Sequence, residues 1–299
     1  MGLPRQLVIV ADDFGIGPDT DRGILELASA GLVTGTTLLV NSPHAPPAVA
    51  AWTRAGCPCD LGWHPNLTLD RPILPTGDVP SLVRPDGTFW PLGAFLKRSL
   101  LGRMNPAEVA AELAAQYRRF VELVGAPPAV VNAHQHAALF HPVGSALHAV
   151  LTTRPDRPFV RRVREPWALV ARVPGARAKR LLLNRLGRRQ ACELDVAGFP
   201  GCDWLIGITD PPFVTDPRFH DRWLAAVPGR TVELMCHPGY PDPTLVGRDA
   251  PSFDDGLVRR RADELALFRR PELPDVIRAA GFELVRPSEL GRRTTRMAA

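Results

Sequence analysis

Two adjacent aspartates and four histidines stand at or just beyond the ends of apolar stretches. These residues are Asp12, Asp13, His64, His134, His136 and His237. Two imidazoles and one carboxylate form a common catalytic site for a divalent metal ion, with one coordination position left open for water. A second aspartate can then act as general base, and a further histidine can protonate the leaving group. The residue types are therefore those of metal-assisted hydrolysis.

Each of these residues, taken alone, has a simpler explanation. A single histidine in an apolar stretch is usually structural, and an aspartate after a strand often caps the next helix. Their repeated position is more informative, because strand ends from distant parts of a sequence converge on one mouth of a β/α barrel. The pattern as a whole favours a shared site.

The stretches that carry these residues are predicted to be strands separated by helices. Residues 6–11 are apolar and mostly β-branched, which is typical of a parallel strand buried on both faces. Further strands are predicted at 36–40, 60–67, 129–134, 231–237 and 282–285. The alternation of strands and helices predicts a single α/β domain spanning 1–299, with a barrel favoured over an open sheet.

The clearest predicted helix lies near the middle of the chain. Asn105 is suited to its N-cap, Pro106 to its first position, and Glu108 to the acidic position that follows. Apolar residues then recur with helical spacing until Gly125, which is a typical C-terminal stop.

Composition limits the cellular context and excludes some classes of protein. Apolar residues make up 45% of the 299 residues, enough for a large core. No apolar run approaches the roughly 18 residues that a membrane span needs. The first strand begins too early to leave room for a signal peptide, so a cytoplasmic location is expected. Cys57 and Cys59 form C-x-C rather than C-x-x-C, so the five cysteines are expected to be reduced thiols.

The net charge of +5 is concentrated in one segment. Residues 154–189 hold twelve basic and two acidic residues, whereas the rest of the chain holds 24 basic and 29 acidic ones. A basic face can bind phosphate, but a solvated arginine-rich surface is the simpler interpretation. Within it, 164–190 is predicted to be a helical insertion or lid that covers the site or lies on a membrane. Four leucines are expected to turn inward there: Leu181, Leu182, Leu183 and Leu186.

Four motifs carry a family resemblance. They are Ala-Asp-Asp-Phe-Gly (11–15), Gly-Trp-His-Pro-Asn-Leu (62–67), Val-Asn-Ala-His-Gln-His (131–136) and Glu-Leu-Met-Cys-His-Pro-Gly-Tyr (233–240). In this order and spacing they resemble the YdjC-like carbohydrate deacetylases, a group that includes chitooligosaccharide deacetylases and hopanoid-associated deacetylases. Residues 202–207 and 282–285 are similar to further family segments, so the resemblance runs from about residue 6 to 290.

The resemblance implies a distorted (β/α) TIM-like barrel that removes an N-acetyl group from a sugar or glycoconjugate. By position, Asp13, His64 and His134 match the ligands of one divalent metal ion. Asp12 matches the general base and His237 the proton donor. Two nitrogens and one oxygen favour Zn²⁺, although Mg²⁺ and other divalent ions are also compatible.

Four more residues of the matching motifs are expected to bind substrate or to support the site from behind. These are Asn66, Asn132, His136 and Asp203. The sequence departs from the family pattern at Ala138, where a third histidine is common, and at Pro65, where proline is uncommon. Both departures bear on the choice of substrate rather than on the metal ligands.

Other classes of function remain open at this stage. A different metal-dependent amidohydrolase or a phosphoesterase would use the same ligand types, but phosphoesterases usually need more acidic residues to bridge two metals. An alternative from another class is a protein that binds nucleic acid or a membrane surface through the arginine-rich segment. Nucleic acid is not the expected partner, because zinc-finger spacing and RNA-recognition motifs are missing. Contact of the basic segment with an anionic membrane or a lipid-linked substrate is retained, as is a homodimer, since the sequence does not determine the oligomeric state.

Overall fold

The computed structural model describes residues 4–209 and 214–290. The strands within these ranges are β1 (Arg5–Phe14), β2 (Gly35–Leu38), β3 (Asp60–Trp63), β4 (Val130–Val131), β5 (Phe159–Val160), β6 (Trp204–Ile206), β7 (Thr231–Cys236) and β8 (Phe282–Leu284). The α-helices are α1 (Pro18–Ser29), α2 (Ala45–Arg54), α3 (Leu92–Leu100), α4 (Pro106–Val124), α5 (Val143–Thr152), α6 (Trp167–Arg172), α7 (Arg177–Val196), α8 (Phe219–Ala226), α9 (Gly256–Phe268) and α10 (Leu273–Ala279). The sequence also predicts that residues 291–299 form a C-terminal tail, and this segment lies outside the described residues.

All of these strands are parallel and form one curled sheet. Their order is β5-β4-β3-β2-β1-β7-β6. β1 pairs with β7 along one edge, and with β8 and then β2 along the other. β1 is buried over most of its length, as its unbroken apolar run predicts. The predicted α/β class and single domain are confirmed.

The two edge strands of the sheet approach each other and bring it close to a barrel. The Val160 amide of β5 donates a hydrogen bond to the Pro200 carbonyl at 2.8 Å. The Leu205 amide of β6 donates to the Arg164 carbonyl, just beyond β5, at 2.9 Å. The sheet is therefore a half-barrel surrounded by helices, which agrees with a distorted TIM-like barrel.

Helix α4 agrees with its sequence signals. The Asn105 side chain accepts a hydrogen bond from the Ala107 amide, and Gly125 ends the helix in the left-handed conformation. Helices α3, α5 and α8 were not predicted, and each of them begins without a side-chain cap. The strands β2, β3 and β4 are shorter than the predicted strands at 36–40, 60–67 and 129–134.

The region predicted as a basic insertion folds into two helices, α6 and α7. Leu183 is buried as expected, but Leu181 and Leu182 are 46% and 53% exposed. The prediction that all four leucines turn inward is therefore wrong. No helix in the described parts of the chain is long and apolar enough to cross a membrane.

Candidate active site

The carboxyl ends of the strands surround a cavity of about 400 Å³ at one mouth of the half-barrel. The five residues predicted as metal ligands or catalytic groups all line it: Asp12, Asp13, His64, His134 and His237. They come from β1 and from the segments that follow β3, β4 and β7. The predicted convergence of remote strand ends is confirmed.

Two adjacent carboxylates reach the same cavity because β1 becomes irregular near its end. Side chains of neighbouring residues in a regular strand point to opposite faces. Asp13 has a left-handed φ of 66°, and the pairing of β1 with β2 shifts register between Ala11 and Phe14. Asp12 and Asp13 can therefore face one cavity while they contact different partners.

Asp13 and two histidines form a buried cluster. Asp13 Oδ1 lies 2.8 Å from His134 Nδ1 and 3.2 Å from His64 Nε2. One ligand-type atom from each side chain lies within 4.8 Å of the others. Within residues 4–209 and 214–290, this is the one group of three or more His, Cys, Asp or Glu side chains close enough to hold a metal ion.

The ring of His64 is oriented by contacts behind it. Its Nδ1 lies 2.7 Å from the backbone carbonyl of Asn132, which can only accept, so Nδ1 carries the proton. The lone pair of Nε2 is then directed toward Asp13. A backbone carbonyl behind the ring is a usual support for a metal-binding histidine. Together with the Asp13 oxygen and His134, this donor set fits one divalent cation.

Arg261 of α9 pairs with Asp13 and stabilises the ionised form of its carboxylate. One guanidinium nitrogen lies 2.7 Å from Asp13 Oδ2, so the two carboxylate oxygens face different partners. Burial alone would raise the pKa of Asp13, but His134 and Arg261 hold it well below its usual range. Burial would likewise lower the pKa of His134, whereas the Asp13 charge raises it. Asp13 is therefore an ionised ligand candidate.

Asp12 is held in place by a separate network. Arg161, just after β5, donates to both carboxylate oxygens at 2.6 and 2.8 Å, which fixes the carboxylate plane. Asn132 donates to Asp12 Oδ1 at 3.1 Å. The Arg161 Nε also donates to Glu233 at 2.6 Å, and burial raises the pKa of that glutamate. The prediction that Asn132 supports the site from behind agrees with this contact.

His237 lines the cavity close to Asp12. Its Nε2 is 3.9 Å from Asp12 Oδ2, and its Nδ1 is 3.1 Å from a guanidinium nitrogen of Arg260. Burial first, and then the Arg260 charge, lower the pKa of His237 well below its usual range. His237 is at the predicted place, but this direction runs against the predicted protonated state.

His136 lies beside the cluster rather than within it. It lines the main cavity, and it also lines a small cavity of about 20 Å³ behind the site. Both Gln135 and His136 are left-handed, with φ of 51° and 55°. Such strain is typical of functional turns. The position agrees with the prediction that His136 acts just outside the metal site.

Two predicted residues do not reach the cavity. The side chain of Asn66 is hydrogen-bonded to Asn41 after β2 and to Thr68 and Leu69 of its own loop, so Asn66 holds two loops together. Asp203 precedes β6 and accepts hydrogen bonds from the Arg230 and Thr231 amides at the opposite end of the sheet. Asp203 therefore lies away from the cavity, which does not agree with the expectation that it binds substrate or supports the site from behind.

Sequence reasoning also missed the arginines of the site. Arg161 belongs to the segment interpreted as a solvated surface, yet it is 3% exposed. Arg162 and Arg180 of the same segment are also buried, and Arg180 pairs with Glu165 to fix α7 against the start of α6. Charge counting cannot detect such pairs, because the acidic partner is distant in sequence or isolated within a basic stretch.

Helix α7 forms part of the cavity wall. Lys179, Leu182 and Leu183 line it from that side. On the opposite side, Leu92 and Leu96 of α3 contribute to the wall. The prediction that the insertion covers the site agrees with this placement.

Comparison with known proteins places the chain in a family. The family model of YdjC-like proteins matches residues 6–279. The chain is 34% identical to a carbohydrate deacetylase of Mus musculus, over 81% of this chain and 80% of that protein. It is 28% identical to a chitooligosaccharide deacetylase of Serratia marcescens, over 94% and 98% of the two chains. A crystal structure of a putative cellobiose-phosphate cleavage protein from Enterococcus faecalis V583 superimposes with a TM-score of 0.72 at 25% identity, covering 96% and 99%. The chain therefore belongs to the family of YdjC-like proteins.

Proposed function

We propose that this protein is a metal-dependent hydrolase that removes an N-acetyl group from an N-acetylated sugar or glycoconjugate. The observation that carries the proposal is the convergence of Asp13, His64 and His134 beside Asp12 in one cavity. The names of the relatives in Mus musculus and Serratia marcescens support the choice of a deacetylase over other hydrolases.

Each residue of the site has a distinct part in the proposed reaction. Asp13, His64 and His134 would hold the metal ion, with Zn²⁺ favoured by two nitrogen donors and one oxygen donor. When bound, such an ion lowers the pKa of water and polarises a carbonyl. Asp12, fixed by Arg161 and Asn132, takes a proton from the attacking water. His237 faces the acetamide from the other side as a hydrogen-bond donor.

A phosphoesterase is the second candidate among enzymes. Such enzymes usually hold two metals about 3.5–4 Å apart, bridged by additional carboxylates. The described residues provide one three-ligand cluster, and the nearby acids Glu233 and Asp249 face arginines. A mononuclear amidohydrolase fits these contacts better.

Release of acetate from a panel of N-acetylated sugars tests the proposal. The protein is stripped with chelator and assayed with each of Zn²⁺, Mn²⁺, Co²⁺ and Mg²⁺. We expect acetate release only with added metal, and none from His134→Ala. Phosphate release from sugar phosphates, with no acetate from any N-acetyl sugar, would assign the site to the second candidate.

Nucleic-acid binding is disfavoured in part because three of the twelve basic residues of 154–189 are buried. Arg161, Arg162 and Arg180 are committed to internal ion pairs. We expect any DNA or RNA binding to be weak and nonspecific. A steep salt-dependent affinity would contradict this expectation.

We further propose that the acetylated sugar is lipid-linked, because much of the cavity wall is apolar. The wall includes Leu92, Leu96, Phe140, Leu182, Ile208 and Leu257. Burying sugar hydroxyls against such a wall without partners costs about 1–3 kcal/mol for each group. An alkyl or lipid group would instead gain contact area there.

An exposed leucine extends this wall toward the surface. Leu100 lies on the same face of α3 as Leu92 and Leu96 and is 87% exposed. This supports contact with a membrane that presents the substrate.

We expect octyl N-acetylglucosaminide to have a lower KM than N-acetylated chitooligosaccharides, and flotation with anionic vesicles to weaken in Leu100→Ser. Equal KM values and no flotation would restrict the substrate to free sugars. The cytoplasmic location and a homodimer stay predictions.

A further inference from the structure

We infer that Arg260 holds His237 as a neutral imidazole with its proton on Nε2, so that His237 serves as a fixed N–H donor and does not give up a proton. This inference rests on the proposed deacetylase function. It makes Arg260 a positioning residue, and it changes the part that His237 plays in the reaction.

A closed set of contacts builds this arrangement. The Arg260 Nε donates to Glu264 Oε1 at 2.6 Å. The other Glu264 oxygen accepts a hydrogen bond from the backbone amide of His237. A terminal nitrogen of Arg260 then reaches His237 Nδ1 at 3.1 Å. Glu264 therefore positions both the backbone of His237 and the guanidinium that contacts its ring.

The direction of this hydrogen bond determines the tautomer. A guanidinium has donors only, and it stays protonated in proteins. His237 Nδ1 must therefore accept, which leaves the single proton of a neutral ring on Nε2. That nitrogen faces the cavity, 3.9 Å from Asp12 Oδ2, a separation too long for a hydrogen bond. The Nε2 proton is free for a substrate oxygen.

The surrounding charges do not favour an imidazolium. The charged groups that face His237 are Asp12 and Asp13 of β1, Arg161 after β5, and Arg260, Arg261 and Glu264 of α9. Each of the three acids already contacts an arginine: Asp12 with Arg161, Asp13 with Arg261, and Glu264 with Arg260. A protonated His237 would add an unpaired positive charge to a half-buried site. The lowered pKa of His237 agrees with this reasoning.

Asp12 then carries out both proton transfers of the hydrolysis. A water oxygen forms a bond to the acetyl carbon while its proton moves to the Asp12 carboxylate. Asp12 returns that proton to the sugar nitrogen as the C–N bond breaks, which releases the amine. The acetic acid product loses its remaining proton to solvent. His237 donates a hydrogen bond to the acetyl oxygen throughout, in the way that a preorganised neutral imidazole stabilises developing negative charge.

Nitrogen NMR of the histidine rings tests the tautomer directly. The holoenzyme is labelled with ¹⁵N-histidine and loaded with Zn²⁺, and the His237 signals are identified by their loss in His237→Gln. We expect the pattern of an Nε2–H tautomer, unchanged from pH 5.5 to pH 9. An imidazolium at pH 7, or a proton on Nδ1, would overturn the inference.

Variants of Arg260 test the positioning role. In Arg260→Met the ring loses its donor, so we expect a mixture of tautomers and a His237 that titrates near neutral pH. The double variant Arg260→Met/Glu264→Gln controls for the carboxylate left without a partner. Arg260→Lys keeps a donor and should restore the Nε2–H form. If the ring stays Nε2–H in both Met variants, Arg260 has no positioning role.

Kinetics separate a hydrogen-bond donor from a proton donor. Loss of a donor to a developing oxyanion costs on the order of 10²–10³-fold in kcat, which we expect for His237→Ala. His237→Gln keeps a neutral N–H and should recover at least tenfold of this loss, with the same alkaline pH profile as the wild type. Equal rates for the two variants would contradict the inference. Failure to release acetate from any N-acetyl sugar would instead remove the proposed function, while the NMR result on the tautomer would stand.

Discussion

The two neighbouring aspartates have identical side chains but contact different partners. Asp12 contacts Arg161 and Asn132, whereas Asp13 contacts His64 and His134 through one oxygen and Arg261 through the other. The roles proposed for them, metal ligand for Asp13 and general base for Asp12, require these different surroundings. The left-handed backbone at Asp13 is what allows both carboxylates to face the cavity.

Replacement of the proposed base tests this division at the residue scale. Asp12→Asn keeps the shape of the side chain but cannot take a proton, so we expect kcat to fall on the order of 10²–10⁴-fold. Because Asp13, His64 and His134 are untouched, the metal content per chain should not change. Steady-state kinetics and elemental analysis measure the two quantities. Asp203→Asn, at the far end of the sheet, is the matched control and should remain active. A fully active Asp12→Asn would contradict the role of Asp12.

At the scale of elements, helix α7 depends on one close approach to the chain after β5. A Cβ atom on Gly187 would lie 1.8 Å from the Val163 carbonyl oxygen, so only glycine allows this packing. The Glu165–Arg180 pair and Asn184 fix the same helix against the chain near residue 165. Since α7 also carries Leu182 and Leu183, its docking determines one wall of the cavity.

Two helical glycines provide a matched test of this packing. Helix propensity alone predicts that glycine to alanine stabilises a helix by up to about 1 kcal/mol. We expect that gain for Gly93→Ala in α3, where a Cβ atom meets no other atom within 4 Å. We expect Gly187→Ala to lose roughly 1–3 kcal/mol, as for other overpacked sites. Chemical denaturation measures both free energies of unfolding. A gain at Gly187 would show that α7 packs less closely than described.

In the molecule as a whole, the proposed metal-binding cluster joins segments that are far apart in the sequence. Asp13 belongs to β1, His64 follows β3 and His134 follows β4. A ligand that binds only the folded state adds stability according to its concentration and affinity, about 2.7 kcal/mol at 100 times its Kd. Metal binding should therefore stabilise the entire fold.

Thermal unfolding with and without metal tests this coupling. We expect Tm to rise when Zn²⁺ or Mn²⁺ is added to chelator-treated protein and to fall again with excess chelator. His64→Asn removes one ligand and should abolish the rise. Superimposable melting curves of the wild type in metal and in chelator would argue against an ion at this cluster.

The acid stability of the molecule should depend on a histidine far from the cavity. His220 of α8 is buried beside Phe219 and Phe268, and its Nδ1 has no partner in the described structure. Burial first, and then the charge of Arg270, lower the pKa of His220 to about 3. In the unfolded chain His220 is protonated below about pH 6.5, whereas in the folded chain it stays neutral until the pH approaches 3. The free energy of unfolding therefore falls as the pH drops from about 6.5 toward 3.

A substitution at His220 isolates this effect. The loss approaches about 1.4 kcal/mol per pH unit while the folded state stays neutral. His220→Phe removes the titrating ring, so we expect a shallower loss of stability between pH 6.5 and pH 4.5. Denaturation at pH 8, where both states of the histidine are neutral, controls for changed packing. Parallel curves for the two proteins over the acid range would refute the prediction.

The amino-acid sequence alone determined the α/β class, the helix after Asn105 and the strand ends that carry Asp12, Asp13, His64, His134 and His237. It did so because buried strands and capped helices leave local patterns, and because a parallel sheet brings its carboxyl ends together. Tertiary structure alone decided which charges are buried. Arg161 and Arg261 reach aspartates 149 and 248 residues away, and no local pattern distinguishes such an arginine from a solvated one. For the same reason the sequence could not show that Arg260 faces the ring of His237.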